Sequence, residues 1–155
     1  LATLTLSMDA LLFTLEGQRF ALPARDLVEI VRAVAVRPIP GAPSVVLGAL
    51  DLRSTLVAVV DIRARFGLTP RPLGLDDHFV VARAGTRTIA IIADRADDYG
   101  TIDDSAIDAT AAISSHAPHL GGVARTTDGL VVLVDLETFL TQAEEASLQA
   151  ALAPS

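Results

Sequence analysis

The sequence predicts a mainly β protein, built as two small barrel-like β units packed on each other and followed by a C-terminal helix. Three observations carry this. Apolar residues come in short runs bounded by Gly, Pro and Asp, the pattern of strands buried on both faces. Similar segments recur: an offset of 74 brings Gly48 onto Gly122, Leu56-Val57 onto Leu130-Val131, Val59-Val60 onto Leu133-Val134 and Asp61 onto Asp135, and an offset of 68 brings Gly17 onto Gly85, Arg19 onto Arg87 and Asp26 onto Asp94. From Leu136 the apolar spacing changes to that of an amphipathic helix. Half of so short a chain can hardly bury enough surface alone, so the two halves are expected to share a core and to meet along a groove.

Ala10 to Leu15 and Arg19 to Leu22 read as strands around the turn Glu16-Gly17-Gln18, and Pro23 ends the second. Arg25 to Val36 reads two ways. Leu27 to Arg32 alternates like a strand, yet Asp26 could cap a helical turn. Arg37 to Pro43 is a stiff loop, since three prolines in it forbid regular pairing. Ser44 to Leu52 and Leu56 to Val60 are strands around the polar turn Arg53-Ser54-Thr55. Ile62 to Phe66 then makes a turn or two of helix before Gly67.

Thr69 to Asp77 is a Pro/Gly loop and the expected internal boundary. It would separate a first subdomain, roughly 20–70, from a second, roughly 75–135 with the N-terminal strand added. Phe79 to Arg83 and Thr86 to Ala93 come next as strands around Ala84-Gly85. Asp94 to Ser115 is acidic and weakly periodic, and is expected to be mostly irregular with a strand near Asp98 to Ile102. Leu120 to Arg125 and Leu130 to Val134 form a hairpin over Asp128-Gly129. The helix is expected over 136–152, with Leu136, Phe139, Leu140, Ala143 and Ser147 on its apolar face.

Composition narrows the function. Hydrophobic residues make up 51% and mean hydropathy is +0.49, but no apolar run approaches the roughly 18 residues of a membrane span. The surplus belongs in a core and in binding surfaces. Without cysteine there is neither a disulfide framework nor a thiolate metal site, which suits the cytoplasm, and no basic, apolar leader opens the chain. Every basic residue is arginine. Residues 1–75 hold eight arginines against six acids, and residues 76–155 hold four against thirteen. A chain of net charge −7 without a basic run is a poor match for nucleic acid. The uneven charge suits faces that meet different protein partners, or an ordinary solvated surface.

No catalytic site assembles from the motifs. Asp61 and Asp135, both at strand-to-helix transitions, could be paired carboxylates of a hydrolase drawn from two similar halves, or N-caps. His116 and His119 flank a proline, so no helix aligns them, and a third metal ligand is lacking. Neither a Gly-x-Ser-x-Gly elbow nor a glycine-rich phosphate loop occurs. A binding module remains. Arg53 is either a solvated hairpin-tip residue or a guanidinium held between rigid strands for carboxylate recognition. Leu27, Glu29 and Ile30 are either core plus surface or an exposed contact ridge.

Gly48-Ala-Leu-Asp-Leu-Arg-Ser54, with Val57-Ala-Val-Val-Asp-Ile-Arg63 after it, resembles the central signature of the chemotaxis coupling (CheW-like) family. Phe13 to Leu22, Leu27-Val-Glu-Ile30 and Leu130 to Leu136 are similar to other family segments, so the resemblance runs from about Leu11 to Leu140. It implies two intertwined five-stranded SH3-like β-barrels with a C-terminal helix. It also implies a cytoplasmic, non-catalytic scaffold without cofactor or metal, joining methyl-accepting chemoreceptor tips to the regulatory domain of a CheA-type histidine kinase. A module of a larger chemosensory protein is the alternative. Arg53, Leu27, Glu29, Ile30 and Gly48 are the partner contacts it implies. Asp51, Ser54 and Ala58 depart from the family's Asn, Gly and Pro. Ser54 removes a residue suited to positive φ, and Asp51 is placed to pair with Arg53.

Overall fold

Each half of the repeat gives its first hairpin to the other half. The computed structural model describes residues 7–108, 120–127, 129–136, 140 and 142–152. Its strands are β1 (Ser7–Leu15), β2 (Gln18–Pro23), β3 (Leu27–Arg32), β4 (Val46–Leu52), β5 (Thr55–Val60), β6 (His78–Ala84), β7 (Arg87–Ala93), β8 (Arg95–Asp103), β9 (Ile107–Asp108), β10 (Leu120–Thr126) and β11 (Gly129–Val134), with helix α1 at Gln142–Leu152. One sheet runs β3-β6-β7-β5-β4 and the other β8-β1-β2-β11-β10-β9. The β1–β2 hairpin therefore sits among strands of the second half, and the β6–β7 hairpin among strands of the first. The sheets do not divide at the 69–77 loop. A division by chain segment fails because β6 and β7 complete the sheet of β3 to β5, while β2 joins β11.

The pairing shows how far the repeat extends. Gly48 pairs with Val59 and Gly122 with Leu133, each beside a register shift at the same place in its hairpin. The parallel pairs Ala58–Ile89 and Val132–Phe20 correspond at an offset of 74 on one strand and 69 on the other. The first hairpins thus superpose at 69, one residue away from the glycine alignment. Turn chemistry explains the slip. Glu16 and Gly17 both have positive φ, as a type I′ turn requires, whereas Gly85 occupies the first central position of its turn, as in type II′.

Strand alternation builds three cores. Val57 and Val59 face a cluster inside the first sheet with Leu50, Phe79 and Ile92. Val131 and Leu133, 74 residues on, face a smaller one inside the second with Ala21 and Ile102. Ala58, Val60, Val132 and Val134 point the other way, into the interior shared by both sheets, where Phe13 stacks on Phe20 at 5.6 Å. Strands buried on both faces are what the unbroken apolar runs require.

Three local expectations change. β8 is a nine-residue strand, Arg95–Asp103, longer than the strand expected near Asp98 to Ile102 in a mostly irregular stretch. Its acids are tolerated because β8 is an edge, paired among the described residues only to β1, with Ala96 and Ile102 buried. Ile62 to Phe66 gives only a single 3-10 turn at Ala64–Phe66. Leu136 and Leu140 lie in bends, so α1 does not inherit their phase. Leu148 is buried in the shared core, and Ser147 is exposed. Phe139, His116 and His119 lie outside the described residues, as does Asp128 of the last hairpin turn.

Candidate functional site

The tip of the β4–β5 hairpin is exposed and held by two side-chain hydrogen bonds. Leu52 pairs with Thr55, which leaves Arg53 and Ser54 as a two-residue turn with φ of 50° and 69°. Such a turn normally takes Asn or Gly. Here Asp51 supports it: its Oδ1 accepts a hydrogen bond from the Ser54 amide at 3.0 Å. Ser54 therefore does not alter the turn, and Asp51 binds backbone instead of Arg53.

Arg53 reaches across to β3, where its Nη2 donates to Glu29 Oε2 at 2.5 Å. β3 and β4 are the two edges of the five-stranded sheet, so this ion pair spans the gap between them. The guanidinium stays 75% exposed, whereas Glu29 is largely covered. A hydrogen-bonded pair of this kind fixes the direction in which the rest of the arginine fork points.

The other expected contacts separate. Leu27 and Ile30 pack partly buried against the shared core rather than forming a ridge. A register shift between Leu27 and Glu29 turns Val28 outward, 45% exposed, and Leu56 beside the hairpin tip is 60% exposed. Sequence reading passed over both as strand interior. The signal available for Leu56 was its place at the polar edge of an apolar run. Gly48 acts from beneath. A Cβ there would lie 2.4 Å from the Arg37 carbonyl oxygen, and that carbonyl accepts the Ala49 amide at 2.7 Å while Arg37 N donates back at 3.0 Å. The glycine lets the proline-rich loop lie on β4.

Asp61 and Asp135 line different cavities, the first with Arg65 and Glu144, the second with Arg83 and Leu136. Asp61 Oδ1 accepts the Arg63 amide at 3.0 Å, the local role of a turn cap. Among the described residues no group of three or more His, Asp or Glu is placed to hold a metal ion.

A polar network that the sequence did not reveal lies where the chain crosses from the first sheet to the second. Buried Arg63 and the loop residue Arg71 both bond Asp94 Oδ1, while Asp94 Oδ2 accepts the Glu16 amide at 2.7 Å. Arg71 also forks onto Asp77, whose Oδ2 accepts the Gly74 amide. The Arg71 hydrogen bonds hold the Asp77 carboxyl below the usual aspartate range. The Thr69 amide, bonded to Glu16 Oε2 at 3.0 Å, does the same for Glu16. These contacts fasten the 69–77 loop to the β1–β2 turn. They connect residues too distant in sequence for any motif to show.

No helix of the described residues is long and apolar enough to cross a membrane. Comparison with known proteins agrees with this architecture. The chemotaxis protein CheW of Rhizobium meliloti is 27% identical over 138 residues, covering 88% of this chain and 89% of that protein. CheW of Helicobacter pylori is 26% identical over 129 residues, covering 83% and 78%. The crystal structure of the scaffolding protein TtCheW from Thermoanaerobacter tengcongensis superposes with a TM-score of 0.80 at 21% identity, over 90% of this chain and 96% of the other. The family model described as CheW-like domain matches residues 9–144. With that match over most of its length, this chain belongs to the CheW-like domain family.

Proposed function

We propose that this chain is a non-catalytic cytoplasmic adaptor of chemotaxis signalling. It couples the tips of methyl-accepting chemoreceptors to the regulatory domain of a CheA-type histidine kinase. The observation that carries the reading is the Arg53–Glu29 pair, on a rigid hairpin tip beside exposed Leu56 and Val28, in a chain that matches the family from residue 9 to residue 144. An exposed arginine with apolar neighbours is the composition of an interface anchor with a polar rim. Leu27 and Ile30 set β3 behind that anchor, and Gly48 sets β4. Catalysis through Asp61 and Asp135 lacks support, since the two line separate cavities.

Calorimetric titration with the regulatory domain of a CheA-type kinase from the same genome tests the reading. The wild-type chain should bind, and Arg53→Glu should lose at least tenfold in affinity at a nearly unchanged melting temperature, because an exposed ion pair contributes about 0–1 kcal/mol to folding. A Glu29→Arg/Arg53→Glu exchange then separates two roles. Affinity that stays lost places Arg53 against the partner, and affinity that returns assigns the pair to shaping the tip. A wild-type chain that binds no such kinase refutes the adaptor reading.

A further inference from the structure

The two sheets differ in charge and in how their edges are finished. Residues 27–93, which build the first sheet, carry eight arginines against five acids, and the rest of the chain carries four against fourteen. In the first sheet Arg53 reaches from the β4–β5 tip to Glu29 on β3, and β4 is met by Arg37, whose backbone exchanges hydrogen bonds with Ala49. In the second sheet one edge, β9, is two residues long. The other edge is β8, and it is unlike the rest. Its nine residues pair with β1 on one side, and among the described residues the backbone on the other side makes no hydrogen bond. A long unpaired edge is a template for another strand.

We infer that the outer edge of β8 takes an extended segment of another protein with Lys or Arg at alternate positions, added to the second sheet as a further strand. Main-chain hydrogen bonds supply the affinity of such an addition, and alternate side chains supply its specificity. β8 and the Arg53–Glu29 pair belong to different sheets, so the inference goes beyond the adaptor reading and does not depend on it.

The side chains along the edge select the occupant. Tyr99, Thr101 and Asp103 pair with Leu11, Asp9 and Ser7 of β1 and share one face, while Asp98 and Gly100 lie on the other. Tyr99 is 61% exposed, and Asp98 and Asp103 are exposed as well. Thr101 Oγ1 donates to Asp9 Oδ1 at 3.2 Å, which holds that carboxylate along the same face. A second copy of β8 is disfavoured here, because it brings acids beside acids. A cationic strand reverses the sign of that term. One basic side chain pairs with the Asp103 carboxylate, and another, four residues along on the same face, lies over the Tyr99 ring. The acidic surplus of the second sheet's segments draws such a strand in and orients it toward this edge.

The test uses the full chain and two synthetic peptides, one of alternating lysine and valine and one of alternating lysine and proline. Both carry the same charge, but the proline peptide cannot pair into a sheet. At low ionic strength the lysine–valine peptide should bind at least tenfold more tightly than the other, and it should slow hydrogen exchange over residues 98–103. An Asp98→Lys/Asp103→Lys double variant should lose at least tenfold in affinity for it, whereas Arg53→Glu should bind it as the wild type does. Equal binding of the two peptides, or binding of neither, overturns the inference, because no strand is then being added. Binding that the double variant keeps, or that Arg53→Glu loses, overturns it by placing the peptide elsewhere. Should the double variant melt early, Asp98→Asn/Asp103→Asn removes the charge without reversing it, and the same outcomes apply.

Discussion

The two barrels repeat each other inside and diverge at their tips. Leu56 and Leu130 are 74 residues apart, and both are exposed, at 60% and 63%. Beside Leu56, Arg53 pairs with Glu29. The position 74 residues after Arg53 is Thr127, so the second tip lacks the cation. Its turn is held instead by Thr126 Oγ1 donating to the Gly129 carbonyl at 2.8 Å. The inward positions are constrained by packing in both halves, whereas the exposed tips are held only by local hydrogen bonds. Under the adaptor reading proposed above, divergence at the tip is where partner choice is set.

A second difference lies just beyond each closing hairpin. After β5 the chain is fastened by the polar network around Arg63, Asp94, Arg71 and Asp77. After β11 it is fastened by an apolar anchor, Leu148 in the shared core, with Arg87 donating to Glu145 and Gln149 from β7. The two fastenings should respond differently to pH.

If the halves share one interior, the largest effect belongs to the residue that joins them. Phe20 is fully buried, stacked on Phe13 and within 4.9 Å of Phe66. Phe20→Ala should cost about 3–5 kcal/mol, and chemical denaturation should still show one transition. Two separated transitions would mean that the barrels fold independently.

The next effect compares the fastenings. Leu148→Ala should destabilise by about 3 kcal/mol with little dependence on pH. Asp77→Asn should cost about 2 kcal/mol at pH 7, below the value for a fully buried pair because Arg71 is partly exposed. The Asp77 carboxyl titrates lower in the folded chain than in the unfolded one. Its stabilisation is therefore complete above the unfolded value of about 3.9 and is lost as pH falls through the lowered folded value. Denaturation midpoints of wild type and Asp77→Asn should converge below about pH 4. A gap that stays constant with pH would show that the clamp acts through shape alone.

Smaller still is the contrast between the paired glycines. Gly48→Ala should cost about 2 kcal/mol, because the new methyl meets the Arg37 carbonyl and the loop must lift. Gly122→Ala should cost about as much for another reason, its φ of 138°. Hydrogen exchange separates the two: only Gly48→Ala should expose the Arg37 and Ala49 amides. The smallest effect is a gain. Ser54→Gly should stabilise by less than about 1 kcal/mol by relieving a side chain at φ 69°. A loss would show that the freedom glycine adds to the unfolded chain outweighs the relief of strain in the turn.

Much of the fold could be read directly from the chain. The unbroken apolar runs Leu56 to Val60 and Leu130 to Val134 marked strands buried on both faces, and the recurrence of Gly48 and Asp61 at Gly122 and Asp135 marked a duplicated plan. Those signals are local, because period and turn chemistry act within a few residues. The Arg53–Glu29 pair was half legible, since both residues stood out but nothing in the chain joined them. Only tertiary structure decided that the β6–β7 hairpin completes the sheet of the first half, that β8 extends over nine residues despite its acids, and that Arg63, Arg71, Asp77 and Asp94 form one clamp. Those outcomes rest on contacts between residues far apart in sequence, where burial and edge position override composition.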